Sequence, residues 1–234
     1  MSIVQRHLNL DSPSHMEVPV VRVIGSLNRV RHEFEERYTV LHRHTFPEVL
    51  KRIRDSNLTH YSIFLREGLL FSYLEYAGRD YQEDMKALGR DEATRDWWKL
   101  TDPMQDPLPE RPPSEWWANM DLLYLDGTLG ASKANSNRLA FVASLSPKYQ
   151  AHKSEMLNSL KDLPLHIREN ISINKVAFFS GYGKVCLYLD ICGLLPDVKT
   201  GFIETVRAFK DSSLDMRRYL ATDWQEMSEV FYNL

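Results

Sequence analysis

The chain has 234 residues, enough for one large domain or two of about a hundred residues each. Hydrophobic residues make up 43% and charged residues 26%, with a formal net charge of −3, so there is no basic field for nucleic acid or an anionic membrane. The start, MSIVQRHLNLDSPSH, lacks a secretory pattern, and no apolar run is long enough to span a bilayer. Cys186 and Cys192 stand outside any metal or redox spacing, which points to buried free thiols in a cytoplasmic protein.

In chain order, VPVVRVIGSL (18–27) reads as a strand. From about Arg31 to Asn57, Phe34, Tyr38, Leu41, Thr45, Val49 and Ile53 recur at close to helical period and predict a helix with one face on a sheet. Pro47 cannot donate an amide to the preceding turn, so the helix should kink or restart there and leave a recess beside His42. LTHYSIFL, REG and LLFSYLEY predict a hairpin with a three-residue turn. Within it Tyr61, Ile63 and Leu65 share one strand face, and His60, Ser62 and Phe64 the other. A charged helical stretch containing RDWWKLTDPM follows, then a Pro-rich loop, the pair Trp116 and Trp117, and a closing strand MDLLYLD at 120–126.

The order then repeats. NRLAFVASL (137–145) is a strand; a helical stretch follows, then the hairpin INKVAFFS, GYG, KVCLYLDI, a second helical stretch and a closing strand SEVFYNL at 228–234. The Gly/Ser/Asn-rich GTLGASKANSN joins the two series. The expected division is a domain at 16–126, a linker at 127–137 and a second α+β domain at 138–234. Each series is β-α-β-β-α-β, a ferredoxin-like unit with one sheet face covered by helices. The expected fold is therefore a tandem α+β barrel, two antiparallel sheets packed face to face as an internal pseudo-dimer.

The residues that suggest chemistry lie in the first half. Tyr38 and His42, four apart on the face turned to the sheet, join Tyr61 and the indoles Trp97 and Trp98. Polar groups walled by aromatic rings suit a sugar, whose C–H faces rest on indoles while its hydroxyls take directed hydrogen bonds. His42 and His44 project to different sides of a helix, which disfavours a metal pair.

The pattern YxxxHxxxxPE (Tyr38, His42, Pro47, Glu48), then Tyr61, then WWK (Trp97, Trp98, Lys99) and the closing MDLLYLD, resembles the L-rhamnose mutarotase family over roughly residues 18–126. The resemblance implies a dimeric ferredoxin-like fold and interconversion of the α and β anomers of a six-carbon deoxysugar. It also implies His42 as proton donor, Tyr38, Tyr61, Trp97 and Trp98 as sugar-binding residues, and no cofactor or metal. The implied partner is a monosaccharide or short oligosaccharide, with the protein a monomer closed by its own second half or a homodimer. An imidazole that titrates near neutrality suits the proton exchange, and a tyrosine can hold or relay the second proton.

The second half departs from this pattern. Lys175 and Val176 stand where the first hairpin has His60 and Tyr61, DMRRYL replaces RDWWKL, and Tyr149 and His152 are a worn counterpart of Tyr38 and His42. The expectation is one competent site and a degenerate copy that buries the sheet and caps the pocket. Other readings of the same pocket are β-elimination on a uronic acid, a non-catalytic carbohydrate-binding protein, or a haem-degrading or polyketide-cyclising barrel. Elimination would draw a cation from Arg43, Arg66 or Lys99 to hold the carboxylate.

Overall fold

A computed structural model describes residues 21–127, 136–146, 173–192 and 220–232, together with Leu129, Thr200 and Glu204. The expected helices of the second half, Tyr149, His152 and most of the 127–137 linker lie outside the described residues.

Strand β1 (Arg22–Arg29) is buried over most of its length, because both of its faces are covered. At Gly25 an added Cβ would lie 2.5 Å from the Phe179 ring, so this position must remain bare for the opposite sheet to approach. The long predicted helix is broken. A 3-10 turn (His32–Phe34) leads into α1 (Glu35–Arg43), and α2 (Pro47–Asp55) begins anew with Pro47 at its first turn. Proline is tolerated there because the missing amide would have no helical acceptor. The only buried residues of α1 are Tyr38 and His42.

Strands β2 (Leu58–Arg66) and β3 (Leu69–Tyr76) form the hairpin. Its turn has two residues rather than three: Glu67 and Gly68 both take positive φ, at 47° and 75°. Two left-handed residues match the right-handed strand twist. Helices α3 (Tyr81–Arg90) and α4 (Glu92–Thr101) follow, each capped by an aspartate. The Asp80 side chain accepts from the Glu83 amide, and Asp91 from that of Thr94.

The expected closing strand of the first half, 120–126, crosses to the second half instead of closing its own. Just before it, β4 (Ala118–Asn119) pairs with β1, and after Met120 the chain continues as β5 (Asp121–Gly127), which pairs with β7 (Ile173–Gly181) of the second half. Strands β6 (Ser136–Ser144) and β8 (Lys184–Cys192) complete that half. The β7–β8 turn again has two positive-φ residues, Tyr182 and Gly183. The last strand, β9 (Gln225–Tyr232), pairs with β6 at its start and with β2 at its end.

The order is therefore β4-β1-β3-β2-β9-β6-β8-β7-β5, all antiparallel. Its two ends, β4 and β5, are one stretch of chain, so the sheet curls into a barrel. The fold is the expected α+β barrel. Its two facing sheets are joined into one by β9 and by the stretch β4–β5.

Between the sheets lies a core with Leu27, Phe64 and Phe71 facing Ala140, Phe179 and Cys186. Tyr73 stacks on Tyr188 with ring centroids 3.6 Å apart and planes 3° apart. Burial raises the Cys186 thiol pKa, as expected of an inert core cysteine. One end of this interior is charged. Lys175 forms a buried ion pair with Glu75, which also accepts from the Tyr73 hydroxyl at 2.7 Å. Glu75 faces His60 at 3.5 Å. The outer face of the first sheet carries α1, α2 and α4 over Val30, Ile63, Leu70 and Val230, and the candidate site opens there. Among the described residues, no helix is long and apolar enough to cross a membrane.

Candidate active site

A cavity of about 390 Å³ lies between the outer face of β2 and helices α1, α2 and α4. That is within the range of roughly 300–1,000 Å³ typical of small-molecule sites. Tyr38, His42, Tyr61, Trp97 and Trp98 all line it, so the fold brings together every site residue suggested by the sequence.

Tyr38 and His42 are placed by α1, where a spacing of four sets their rings one above the other. The ring centroids are 3.8 Å apart and the planes 28° from parallel. His42 Nδ1 lies 2.9 Å from the Tyr38 carbonyl oxygen. A carbonyl can only accept, so Nδ1 carries the proton and Nε2 keeps the lone pair. Burial disfavours the imidazolium and lowers the His42 pKa to about 4, although the Tyr38 carbonyl bond opposes the shift. At neutral pH the ring is therefore a neutral base.

Trp97 meets the His42 ring edge-on, with centroids 5.1 Å apart, and Phe231 does so at 6.0 Å and 89°. Three aromatic rings thus pack against the imidazole. The Tyr38 hydroxyl is buried and makes no hydrogen bond. Burial raises its pKa far above that of an ordinary phenol, with smaller contributions from Tyr61 and Asp102, so it stays protonated; the nearby Gln105 amide pulls weakly the other way. Burial raises the Tyr61 pKa too.

Tyr61 reaches the cavity through a β-bulge. The β2–β3 register shifts between Thr59 and Ser62, and His60 takes a positive φ of 51°. The extra residue reverses the alternation, so Leu58, Tyr61 and Ile63 pack on the helix side while Phe64 joins the core between the sheets. Backbone strain of this kind concentrates at sites where a side chain must be re-aimed.

Several lining residues were not singled out from sequence. Gln105, behind the Asp102–Met104 turn, accepts from Asn28 Nδ2 and from the Trp116 indole nitrogen, both at 2.7 Å. Asp102 also lines the cavity, and burial raises its pKa. Phe231 comes from β9, at the far end of the chain, and packs on Tyr61 with centroids 5.1 Å apart. No local pattern marks it, because only the β2–β9 pairing carries it to this wall. His44 is exposed while His42 is buried, so the two histidines do diverge. Among the described residues, no three histidine, cysteine or acidic side chains gather around one point. Arg43, Arg66 and Lys99 do not line the cavity, and no described lysine or arginine does.

The family model for L-rhamnose mutarotase matches residues 24–125. The L-rhamnose mutarotase of Ligilactobacillus salivarius is 30% identical over 95 residues, 38% of this chain and 85% of the relative. The chain belongs to the L-rhamnose mutarotase family. A second member, from Mannheimia succiniciproducens, is 30% identical over 90 residues, 38% of this chain and 81% of that one. By family the protein is an aldose mutarotase, an isomerase acting on carbohydrates. The matched segment holds Tyr38, His42, Tyr61, Trp97 and Trp98 but stops short of Phe231.

Similarity over the full length is one of fold. A candidate monooxygenase from Fusobacterium nucleatum superposes with a TM-score of 0.55 at 12% identity, over 91% of this chain and 93% of that one. Another from Lactobacillus acidophilus gives 0.54 at 5% identity, over 90% and 95%.

Proposed function

We propose that the protein interconverts the α and β anomers of L-rhamnose or a related 6-deoxyhexose, with His42 and Tyr38 handling the proton and Tyr61, Trp97 and Trp98 holding the sugar. The observation that carries this reading is the neutral His42 imidazole, its Nδ1–H engaged by the Tyr38 carbonyl, beside an unbonded Tyr38 hydroxyl in an aromatic cavity.

Mutarotation moves one proton from the anomeric oxygen O1 to the ring oxygen O5. His42 Nε2 takes the O1 proton as the C1–O5 bond breaks and the C1=O1 double bond forms. The Tyr38 hydroxyl, which burial keeps protonated, donates a hydrogen bond to the developing O5 alkoxide. The imidazolium, made acidic by the same burial, then gives its proton to O5. Rotation about C1–C2 turns the aldehyde, and the reverse sequence closes the ring on its other face. No net charge is left on the protein.

The absence of a described cation in the cavity lining favours this chemistry over elimination from a uronic acid, whose carboxylate would need one. We read residues 138–234 as a second α+β unit that lends the first its closing wall. This is supported by the matching turns Glu67–Gly68 and Tyr182–Gly183 and by the exchange of β5 and β9 between the halves.

Saturation transfer between the α and β anomeric protons of L-rhamnose tests the proposal. Exchange that appears with the wild type and vanishes in His42→Ala is expected. No exchange with rhamnose or with other free 6-deoxyhexoses would refute it.

A further inference from the structure

The catalytic pair occupies the closed end of the cavity. Tyr38 is fully buried, and His42 and Trp97 are 7% and 6% exposed. Two other indoles lining the same cavity are open to solvent, Trp98 at 38% and Trp116 at 44%, and so mark its mouth. Trp98 has a place in the proposed monosaccharide site; Trp116 has none.

Trp116 is held in place. Its indole N–H donates to Gln105, a nearly buried residue, at 2.7 Å. The Arg111 guanidinium lies 5.9 Å from the Trp116 ring centre. That arginine is itself tied down by Nε to the Glu115 carbonyl at 2.6 Å and Nη1 to the Leu108 carbonyl at 3.2 Å. A large indole that stays nearly half exposed while three hydrogen bonds brace its loop is a preorganised platform, not a core residue left uncovered.

The chemistry then decides the orientation of a ligand. Ring opening needs C1 and O5 at His42, at the closed end, so C4, across the ring, points to the mouth. A substituent on O4 or O3 would leave the cavity between Trp98 and Trp116. We infer that Trp116 and Trp98 form an outer subsite for a second sugar ring, and that the protein acts on oligosaccharides whose free reducing end is a 6-deoxyhexose substituted at O3 or O4. This rests on the mutarotase reading and extends its substrate class from a free sugar to the reducing end of a chain. Gln105 ties the outer subsite to the cavity wall, because it lines the cavity and its carbonyl oxygen takes the Trp116 indole proton.

The test compares anomer exchange of L-rhamnose with that of a disaccharide bearing rhamnose at its reducing end, linked through O4. Binding of both sugars is followed in parallel by tryptophan fluorescence. One stacked ring predicts a kcat/KM advantage of roughly three- to tenfold for the disaccharide. Trp116→Ala should remove that advantage, raising KM for the disaccharide more than for the monosaccharide; Trp116→Phe, which keeps a stacking face, should retain part of it. Equal kcat/KM for the two sugars in the wild type, or an equal loss for both in Trp116→Ala, would overturn the outer subsite while leaving the mutarotase standing. Tighter, Trp116-dependent binding of the disaccharide without exchange of either sugar would do the reverse, removing the mutarotase reading and keeping the subsite. Neither binding nor exchange would overturn both.

Discussion

The His42 imidazole stacks on the Tyr38 ring at 3.8 Å and lies 2.9 Å from the carbonyl oxygen of the same residue. One residue thus orients the base through its backbone and presents an acid through its side chain. Replacing either group should therefore damage different parts of one step. His42→Gln is expected to abolish exchange, and Tyr38→Phe, which keeps the ring stack and the carbonyl, to slow it by roughly a hundredfold or more. Unchanged melting temperatures would localise both losses to chemistry. A Tyr38→Phe enzyme with full activity would remove the hydroxyl from the mechanism.

The pH profile follows from the lowered His42 pKa. The base form is neutral, and with a pKa of about 4 in the free enzyme, kcat/KM should stay level through neutrality and fall only as the pH nears 4. An acid limb near 6.5 would show an ordinary solvated histidine.

Stability should have an acid limb of its own. The unfolded chain binds a proton at this histidine below about 6.5, which the folded chain refuses until about 4. Below that upper value the unfolded state holds more protons, so stability falls as the pH drops through this window and levels off beneath it, by about 3 kcal/mol from His42 alone. Denaturant titrations at pH 7, 5 and 4 would read this, and His42→Gln should flatten the slope.

Phe231 lies beyond the segment that the family model matches, yet it touches both His42 and Tyr61. Phe231→Ala should destabilise the fold by about 3–5 kcal/mol, because the ring is buried and leaves a cavity. Phe231→Leu should fold, and should slow exchange roughly ten- to a hundredfold by letting the imidazole tilt. Wild-type kinetics in Phe231→Leu would show that the C-terminal strand serves the fold alone.

The Lys175–Glu75 pair crosses between the two halves inside the barrel. Lys175→Met leaves a buried carboxylate without its cation and should cost about 3–5 kcal/mol in denaturant unfolding. Adding Glu75→Gln to Lys175→Met should recover much of that loss. A Lys175→Met protein as stable as the wild type would mean that His60 or solvent satisfies Glu75.

The sequence by itself determined the local events. Hydrophobic alternation marked strands, a spacing of four put Tyr38 on the same helix face as His42, and Pro47 stopped one helix and began the next. These are short-range effects of backbone geometry, legible in a few consecutive residues. The turns were legible as turns but not in length, because Arg66 and Gly181 continue their strands and only Glu67–Gly68 and Tyr182–Gly183 turn the chain. The bulge at His60 was hidden as well, although it is what aims Tyr61.

Only the tertiary structure decided the rest. Strand β9 could have closed its own half, but it spans both, and that pairing alone carries Phe231 to His42. Lys175 read as a departure from the hairpin pattern, until the facing sheet supplied Glu75. Gln105 looked like a loop residue, and took the Asn28 amide and the Trp116 indole once the turn folded back over the sheet. Each of these contacts joins residues far apart in sequence, where local periodicity carries no information and burial in a shared interior selects the partner.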